Sequence, residues 1–351
     1  MADRSRRAVR SEKRGLLALF FCLLLVACQP DREHVYTLSG QTMGTTWSVK
    51  TVGLPAGTTL PALQQDLMAL LVTINNQMST YQDDAEISRY NRLAAGQWQQ
   101  VSADFMAVLS LSLELAGQTG GAYDPTVGPL VNAWGFGPGA MRLQRPDDQV
   151  LEDARARVGY QRVQVDRDKQ AVLQPGGVYL DFSSVAKGYA VDKLADFLDA
   201  RGQQAYLVEI GGELRAAGHK PDGSAWRIAV EQPVPGIRET GRVLELVDMA
   251  VATSGDYRNF FTVDGVNYPH IIDPRTGLPV GHGTGSVTVL HPRCAHADAL
   301  ATALSVLGPE QGLAFARERN LAVLFVVRED DGFQEVRSPA FEALVTGGAH
   351  D

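Results

Sequence analysis

Leu63, Leu67, Leu70, Leu71, Ile74 and Met78 recur three and four positions apart, the period of one helix face. Thr59 precedes the run as a candidate N-cap and Pro61 falls in its first turn, so the pattern predicts a helix there. Ser102 to Gln118 predicts a second helix, stopped by Gly120-Gly121, and Asp147 to Val158 a third, closed by Gly159. Ser184 to Ala200 predicts a fourth, with Val185, Tyr189, Leu194, Phe197 and Leu198 turned inward and Gly202 as its stop. Ala297 to Leu307 and Pro309 to Arg319 predict two more. Other stretches follow the strand period: a pair within Tyr36 to Val52, then Val163 to Leu173 and Val178 to Phe182 on either side of Pro175-Gly176-Gly177. Ala205 to Ala217, Trp226 to Glu231 and Arg242 to Ala252 are strand-rich, and Phe260 to Tyr268 is a hairpin turned by Asp264-Gly265. Ser286 to Leu290 and Leu321 to Val327 follow, the latter returned by Asp330-Asp331-Gly332 into a last strand. Strands come mostly in adjacent pairs with helices inserted. That predicts an α+β fold with mainly antiparallel sheets, not a doubly wound parallel sheet.

The first residues break this pattern. Arg4, Arg6, Arg7, Arg10, Lys13 and Arg14 precede an apolar run from Leu16 to Ala27, too short to span a bilayer as a helix. The run ends in Leu25-Val26-Ala27-Cys28, which resembles a lipobox. Residues 1–27 therefore read as a lipoprotein signal, with Cys28 the acylated first residue of the mature chain. An uncleaved anchor or an ordinary signal peptide is the alternative. Residues 28–36 read as a polar tether and 37–345 as one domain. The expected location is the bacterial cell envelope, lipid-anchored to the inner or outer membrane and facing the periplasm.

Charge narrows the partners. The chain carries −8 overall; residues 1–27 hold six basic and two acidic side chains, so the remainder carries −12. An acidic body with no polybasic patch speaks against nucleic acid and leaves membrane attachment to lipid. Of three cysteines, Cys22 leaves with the signal and Cys28 is acylated, so Cys294 has no partner for an intrachain disulfide.

Four segments are candidates for chemistry. Thr119 to Gly137 packs five glycines, two prolines and three aromatics into one stretch, suited either to surrounding a planar ligand or to an Ω-loop packed on itself. In Asp181-Phe-Ser-Ser-Val-Ala-Lys187, Ser183 or Ser184 is a candidate cap and Lys187 lies in the first helical turn. Such a helix start favours an anion, or is simply a capped surface helix. His270 lies three residues before Asp273, an acid/base pair or a polar turn. Asp298 and Thr302 lie four apart, on one helix face, and offer hard oxygen ligands for Mg²⁺; Asp298 can equally serve the helix dipole. His291 and His296 lie close by, but their spacing fits no common zinc pattern. Together these segments point to phosphoryl or nucleotidyl chemistry on an aromatic nucleotide.

At these residues the chain resembles the ApbE family, the FAD:protein FMN transferases. The resemblance runs through Met43-Gly-Thr-Thr-Trp, Met78-Ser-Thr-Tyr, Glu86-Ile-Ser-Arg-Tyr-Asn, the 119–137 loop and Ala186-Lys-Gly-Tyr-Ala-Val-Asp. It continues in Gly211-Gly-Glu-Leu-Arg, Ala252-Thr-Ser-Gly-Asp-Tyr-Arg-Asn-Phe, His270-Ile-Ile-Asp-Pro-Arg-Thr-Gly and Ala297-Asp-Ala-Leu-Ala-Thr-Ala-Leu. It implies a T-fold-like α+β architecture and a Mg²⁺-dependent transfer of FMN from FAD to an acceptor threonine, with release of AMP. Implied acceptors are subunits of the Na⁺-translocating NADH:quinone oxidoreductase or of Rnf-type complexes. By position, Met43, Tyr81, Ala122, Tyr123, Asp124, Asp181, Lys187 and Ile272 would line the FAD site. Asp298, Thr302 and an oxygen of Ser184 would hold the metal, and His270 would activate the acceptor. A FAD pyrophosphatase yielding FMN and AMP, or a non-catalytic periplasmic flavin-binding lipoprotein, is the competing reading.

Overall fold

The computed structural model describes residues 34–139, 144–234, 240–257, 259–263, 265–330 and 332–347. The signal segment, Cys28, most of the tether, Asp264 and Asp331 lie outside them. Among the described residues no helix is long and apolar enough to cross a membrane.

The chain opens with the hairpin β1 (Val35–Thr42) and β2 (Thr45–Val52), followed by α1 (Leu60–Met78) and α2 (Glu86–Asn91). Thr59 caps α1 as expected, its hydroxyl accepting from the Ala62 N–H at 3.4 Å, a contact worth ~1 kcal/mol. β3 (Trp98–Gln100) leads to α3 (Ala103–Gln118), capped by Ser102. α4 (Gly128–Ala133), α5 (Asp148–Arg155), β4 (Gln164–Asp166) and β5 (Ala171–Leu173) precede α6 (Ala186–Asp199). Then come β6 (Tyr206–Ile210), β7 (Glu213–Ala217), the hairpin β8 (Trp226–Glu231) and β9 (Thr240–Leu246), and β10 (Met249–Gly255). The hairpin β11 (Phe260–Val263) and β12 (Val266–Pro269), then β13 (Ile272–Asp273), β14 (Leu278–Pro279) and β15 (Thr284–His291), lead to α7 (Cys294–Glu318). β16 (Ala322–Glu329), β17 (Gly332–Arg337) and α8 (Pro339–Gly347) complete it.

Eight strands form the central sheet in the order β1-β2-β6-β7-β10-β15-β16-β17, each adjacent pair antiparallel. The architecture is α+β with mainly antiparallel sheets, as the pattern predicts. β16 shows how the sheet is buried on both sides: Val323 and Phe325 join the core under the helices, while Leu324 and Val326 join a second core. Alternate side chains point to opposite faces, so a strand covered on both sides reads as the unbroken apolar run seen from Leu321 to Val327. α6 and α7 pack on the first face. The β8–β9 hairpin, through Trp226, Ile228 and Val230, and α8, through Phe341, cover the second.

Several expected elements are corrected. The fourth helix starts at Ala186, and neither serine caps it: Ser183 donates to Asp181 and Ser184 to the Tyr123 hydroxyl. Asx-type bonding competes with capping there. Val178 to Phe182 is not a strand, and Val163 to Leu173 is the two short strands β4 and β5. The last two expected helices stand as the two halves of α7, which breaks at the non-helical Gly308 where the Gly308-Pro309 pair predicts it. The 119–137 segment contains the short helix α4.

Candidate active site

α6 and α7 cross closely because Gly188 has no side chain. A Cβ there would stand 2.5 Å from the Cys294 carbonyl oxygen and 2.7 Å from the Asp298 Cβ. At this crossing each helix satisfies the other's start. Asp298 on α7 accepts from the Gly188 N–H of α6 at 2.9 Å. Asp192 on α6 accepts from the Cys294 and Ala295 N–H groups of α7, both at 3.0 Å. Two orphan helix ends are thereby closed by carboxylates, the favourable sign at an N-terminus. The Cys294 thiol is buried among these charges and held well above its ordinary pKa, so it is inert packing.

Beside the crossing lies a cavity of about 1110 Å³. It is lined by all twelve side chains assigned from the resemblance to FAD, metal and acceptor: Met43, Tyr81, Ala122, Tyr123, Asp124, Asp181, Ser184, Lys187, His270, Ile272, Asp298 and Thr302. Residues spread over 260 positions of the chain meet there. Met43 sits in the β1–β2 turn at φ +49°, a left-handed conformation that costs a non-glycine residue about 1 kcal/mol. Tyr81 is exposed, its hydroxyl donating to the Phe136 carbonyl at 3.4 Å. Asp124 is spent on structure: one oxygen accepts from the Thr126 N–H and hydroxyl, the other from the Tyr160 N–H. Asp181 commits one oxygen to Ser183, at 2.8 Å to its N–H and 2.6 Å to its hydroxyl. Tyr123 and Ile272 form buried wall, and burial pushes the Tyr123 hydroxyl far up in pKa.

Lys187 does not stand free for an anion. Its ammonium lies 2.6 Å from Glu213 Oε1. Glu213 reaches it because Gly211 and Gly212 turn β6 into β7 with both φ values positive, a tight hairpin that fixes where β7 begins. Burial pushes Glu213 up to about 7 despite the pull of Lys187, and Oε2 has no hydrogen-bond partner among the described residues. Burial also raises Asp298. Two carboxylates thus share one ammonium, an arrangement with room for further positive charge.

The metal expectation can be tested on these donors. Among the described residues no group of three His, Cys, Asp or Glu is poised for a metal, which disfavours zinc. Mg²⁺ asks for less: one or two carboxylates, with waters and substrate phosphates completing the shell. Asp298 has a second oxygen outside its bond to Gly188, Thr302 follows one turn later on the same face, and the Ser184 side chain is engaged elsewhere, leaving its carbonyl. The donor set fits Mg²⁺. His291 and His296 stack on each other with centroids 4.8 Å apart and do not line the cavity.

His270 lines the same cavity. Its Nδ1 lies 3.0 Å from the Asn259 carbonyl oxygen. A carbonyl only accepts, so Nδ1 carries the hydrogen and Nε2 the lone pair. Burial lowers the imidazole pKa, with Lys187 adding to the effect, so the ring is neutral at pH 7. Asp273 is not its partner: both oxygens chelate Arg275 at 2.9 and 2.8 Å. The polar-turn reading holds for Asp273. His270 packs edge-on against Phe136, centroids 6.2 Å apart. Behind Phe136, the rings of Trp134, Phe261 and Tyr268 form a stack with 5.3 and 5.4 Å separations. The 119–137 segment therefore packs Trp134 and Phe136 on the β11–β12 hairpin and also lines the cavity.

A family model described as the ApbE family matches residues 43–325. The chain belongs to the ApbE family. It is 44% identical to a FAD:protein FMN transferase of Vibrio cholerae, over 94% of this chain and 98% of the relative, and 42% identical to that of Haemophilus influenzae, over 94% and 97%. The crystal structure titled flavinyl transferase ApbE of Pseudomonas stutzeri, apo form, superposes with a TM-score of 0.82 at 42% identity, covering 89% of this chain and 97% of that one. The flavin transferase ApbE of Vibrio cholerae superposes with the same TM-score at 43% identity, covering 88% and 98%. Within this ApbE chain, sequence reasoning missed Glu213 and Asn259 as site residues. Both lie inside the quoted motifs, and a glycine pair directly before a carboxylate was the available signal for the first.

Proposed function

We propose that the chain transfers FMN from FAD to a threonine hydroxyl of an acceptor protein, releasing AMP, with Mg²⁺ required. The observation that carries the proposal is the meeting of a neutral His270 Nε2 and the Asp298–Thr302 oxygen pair in one cavity beside the Lys187 ammonium. The names and near full-length coverage of the relatives support the same reading.

In this reading the acceptor oxygen bonds to the FMN phosphorus as the pyrophosphate P–O bond breaks. AMP leaves with the bonding electron pair, and the hydroxyl proton passes to His270 Nε2. Asn259 holds the ring in the tautomer that can accept it. Lys187, kept charged by Glu213, offsets phosphate charge. Mg²⁺, held by Asp298, Thr302 and a Ser184 oxygen, would supply further charge neutralisation of the phosphates. The reading also includes a lipid anchor: residues 1–27 as signal, acylated Cys28, and a transferase unit over 37–345 facing the periplasm. There, acceptor subunits of Na⁺-translocating NADH:quinone oxidoreductase or Rnf-type complexes are within reach.

The test is incubation of purified protein with FAD, Mg²⁺ and a threonine-bearing acceptor-subunit domain. Mass spectrometry should find a threonine carrying an added FMN; an unmodified domain with intact enzyme refutes the proposal. Cys28→Ser should leave this reaction unchanged while reducing flavinylation in cells.

A further inference from the structure

His270 stands at the root of the β11–β12 hairpin. Phe260 pairs with Pro269, and one position further out the Asn259 carbonyl accepts from both the His270 N–H and its Nδ1–H, each at 3.0 Å. Where the ring points therefore depends on where Asn259 is held. The stretch from Asp256 to Asn259 joins β10 to β11, and its start is fastened to the strands around it. The Asp256 N–H donates to the Gly285 carbonyl at 3.2 Å, and the Tyr257 hydroxyl donates to Glu231 of β8 at 3.3 Å. Arg328, near the end of β16, donates to both Asp256 oxygens, at 2.6 and 2.7 Å.

β10 and β16 are not neighbours in the sheet; β15 lies between them. The ion pair spans the start of β15, where the register slips between Thr284 and Ser286. A slip of this kind re-aims a strand, and the Arg328 N–H, donating to the Gly283 carbonyl at 2.9 Å, holds the same stretch. An exposed ion pair of flexible side chains fixes little. This one is two-pronged and only partly exposed, 34% for the arginine and 17% for the aspartate, a geometry that sets orientation as well as distance. Neither side chain lines the cavity.

We propose that Arg328 is a positioning residue: through its ion pair with Asp256 it fixes the stretch carrying Asn259, and through that carbonyl it holds the His270 ring in the orientation and tautomer the base needs. This rests on the flavinyl-transfer reading above, in which His270 takes the acceptor proton. The pair also sets the charge that the ring feels. Asp256 at the end of β10 favours the imidazolium, and Lys187 from α6 opposes it. The 119–137 segment presents Phe136 to the ring, and Asp273, three residues on, is spent on Arg275. Arg328 offsets the Asp256 charge, so removing either partner loosens the ring in the same way but shifts its protonation in opposite directions.

Arg328→Met and Asp256→Asn test this in the full-length enzyme, with the acceptor domain that the parent enzyme modifies. Each should lower kcat about tenfold and leave the KM for FAD and for acceptor unchanged. The protonation of His270 is read separately, in nitrogen-15 histidine spectra, its signal assigned by its loss in His270→Gln. The titration midpoint should move to higher pH in Arg328→Met, where an unneutralised carboxylate acts on the ring, and to lower pH in Asp256→Asn. The inflection of kcat against pH should follow in the same two directions. Arg328→Lys, which keeps the charge and loses the fork, should hold the midpoint and recover part of the rate. Unchanged kcat in both variants overturns the proposal. So does a lowered kcat with an unmoved midpoint, which makes the pair a general clamp. If Arg328→Met does not fold, Asp256→Asn and Arg328→Lys decide by the same readings. A parent enzyme that leaves the acceptor unmodified refutes the function proposed above; transfer by the parent with unaltered variants refutes only the positioning.

Discussion

At the α6–α7 end of the cavity, charge is fixed by backbone. Asp298 leans on a helix N–H, Glu213 is delivered by a two-glycine turn and pairs with Lys187, the two carboxylates buried and the lysine half-buried. At the His270 end the wall is aromatic. Phe136, Trp134, Phe261 and Tyr268 hold one another by stacking, with a single carbonyl orienting the imidazole. The first end admits few alternatives, because an unpaired buried charge costs several kcal/mol. The second tolerates exchange, because ring contacts are worth about 1 kcal/mol each and have loose geometry. The difference teaches where the enzyme must be exact and where relatives can drift.

Asp298→Asn breaks the comparison most sharply. An amide oxygen still accepts from Gly188, so thermal stability should hold, yet the charge that fits Mg²⁺ is gone. Transfer should fall by ~1000-fold, equivalent to ~4 kcal/mol, and the rise in melting temperature on adding Mg²⁺ should vanish. Retained activity would remove Asp298 from the metal site.

Lys187→Met comes next. It leaves Glu213 and Asp298 as buried carboxylates without their cation, and should cost about 3 kcal/mol in denaturant titration. Lowering the pH should recover part of that loss. Glu213, already raised to about 7, then rises further, so protonating it stabilises the folded form as pH falls through that value.

His270→Gln should slow transfer by ~100-fold, the scale of a general base, with FAD binding preserved. In the parent protein the rate should rise with pH and level off below pH 6.5. The base acts when neutral, and burial depresses the imidazole pKa beneath its ordinary value of 6.5. An inflection above 6.5 would identify another group. Smallest of all, Phe136→Leu should lower stability by about 1 kcal/mol and leave the Mg²⁺ response intact.

Much of the charged end was legible in the sequence. Asp298 and Thr302 announce themselves by helical spacing, and Thr59 and Ser102 by their place before apolar runs. What escaped was non-local. Glu213 looks like an ordinary strand residue until β7 is folded back toward Lys187, 26 positions earlier. Ser183 and Ser184 read as caps because local spacing allows it, whereas Asp181 and Tyr123 offer better partners in space. Asp273 lost its place beside His270 to Arg275, two residues on.

The clasp between α6 and α7 has an evolutionary consequence. Asp298 serves architecture with one oxygen and faces the cavity with the other, and asparagine keeps the first role while discarding the second. On the proposed reading, a single nucleotide change, aspartate to asparagine, would convert the catalyst into a folded binder, because the amide oxygen keeps the bond to Gly188. Within such a lineage, loss of chemistry would leave no trace in the fold and would show only in the identity of that one side chain.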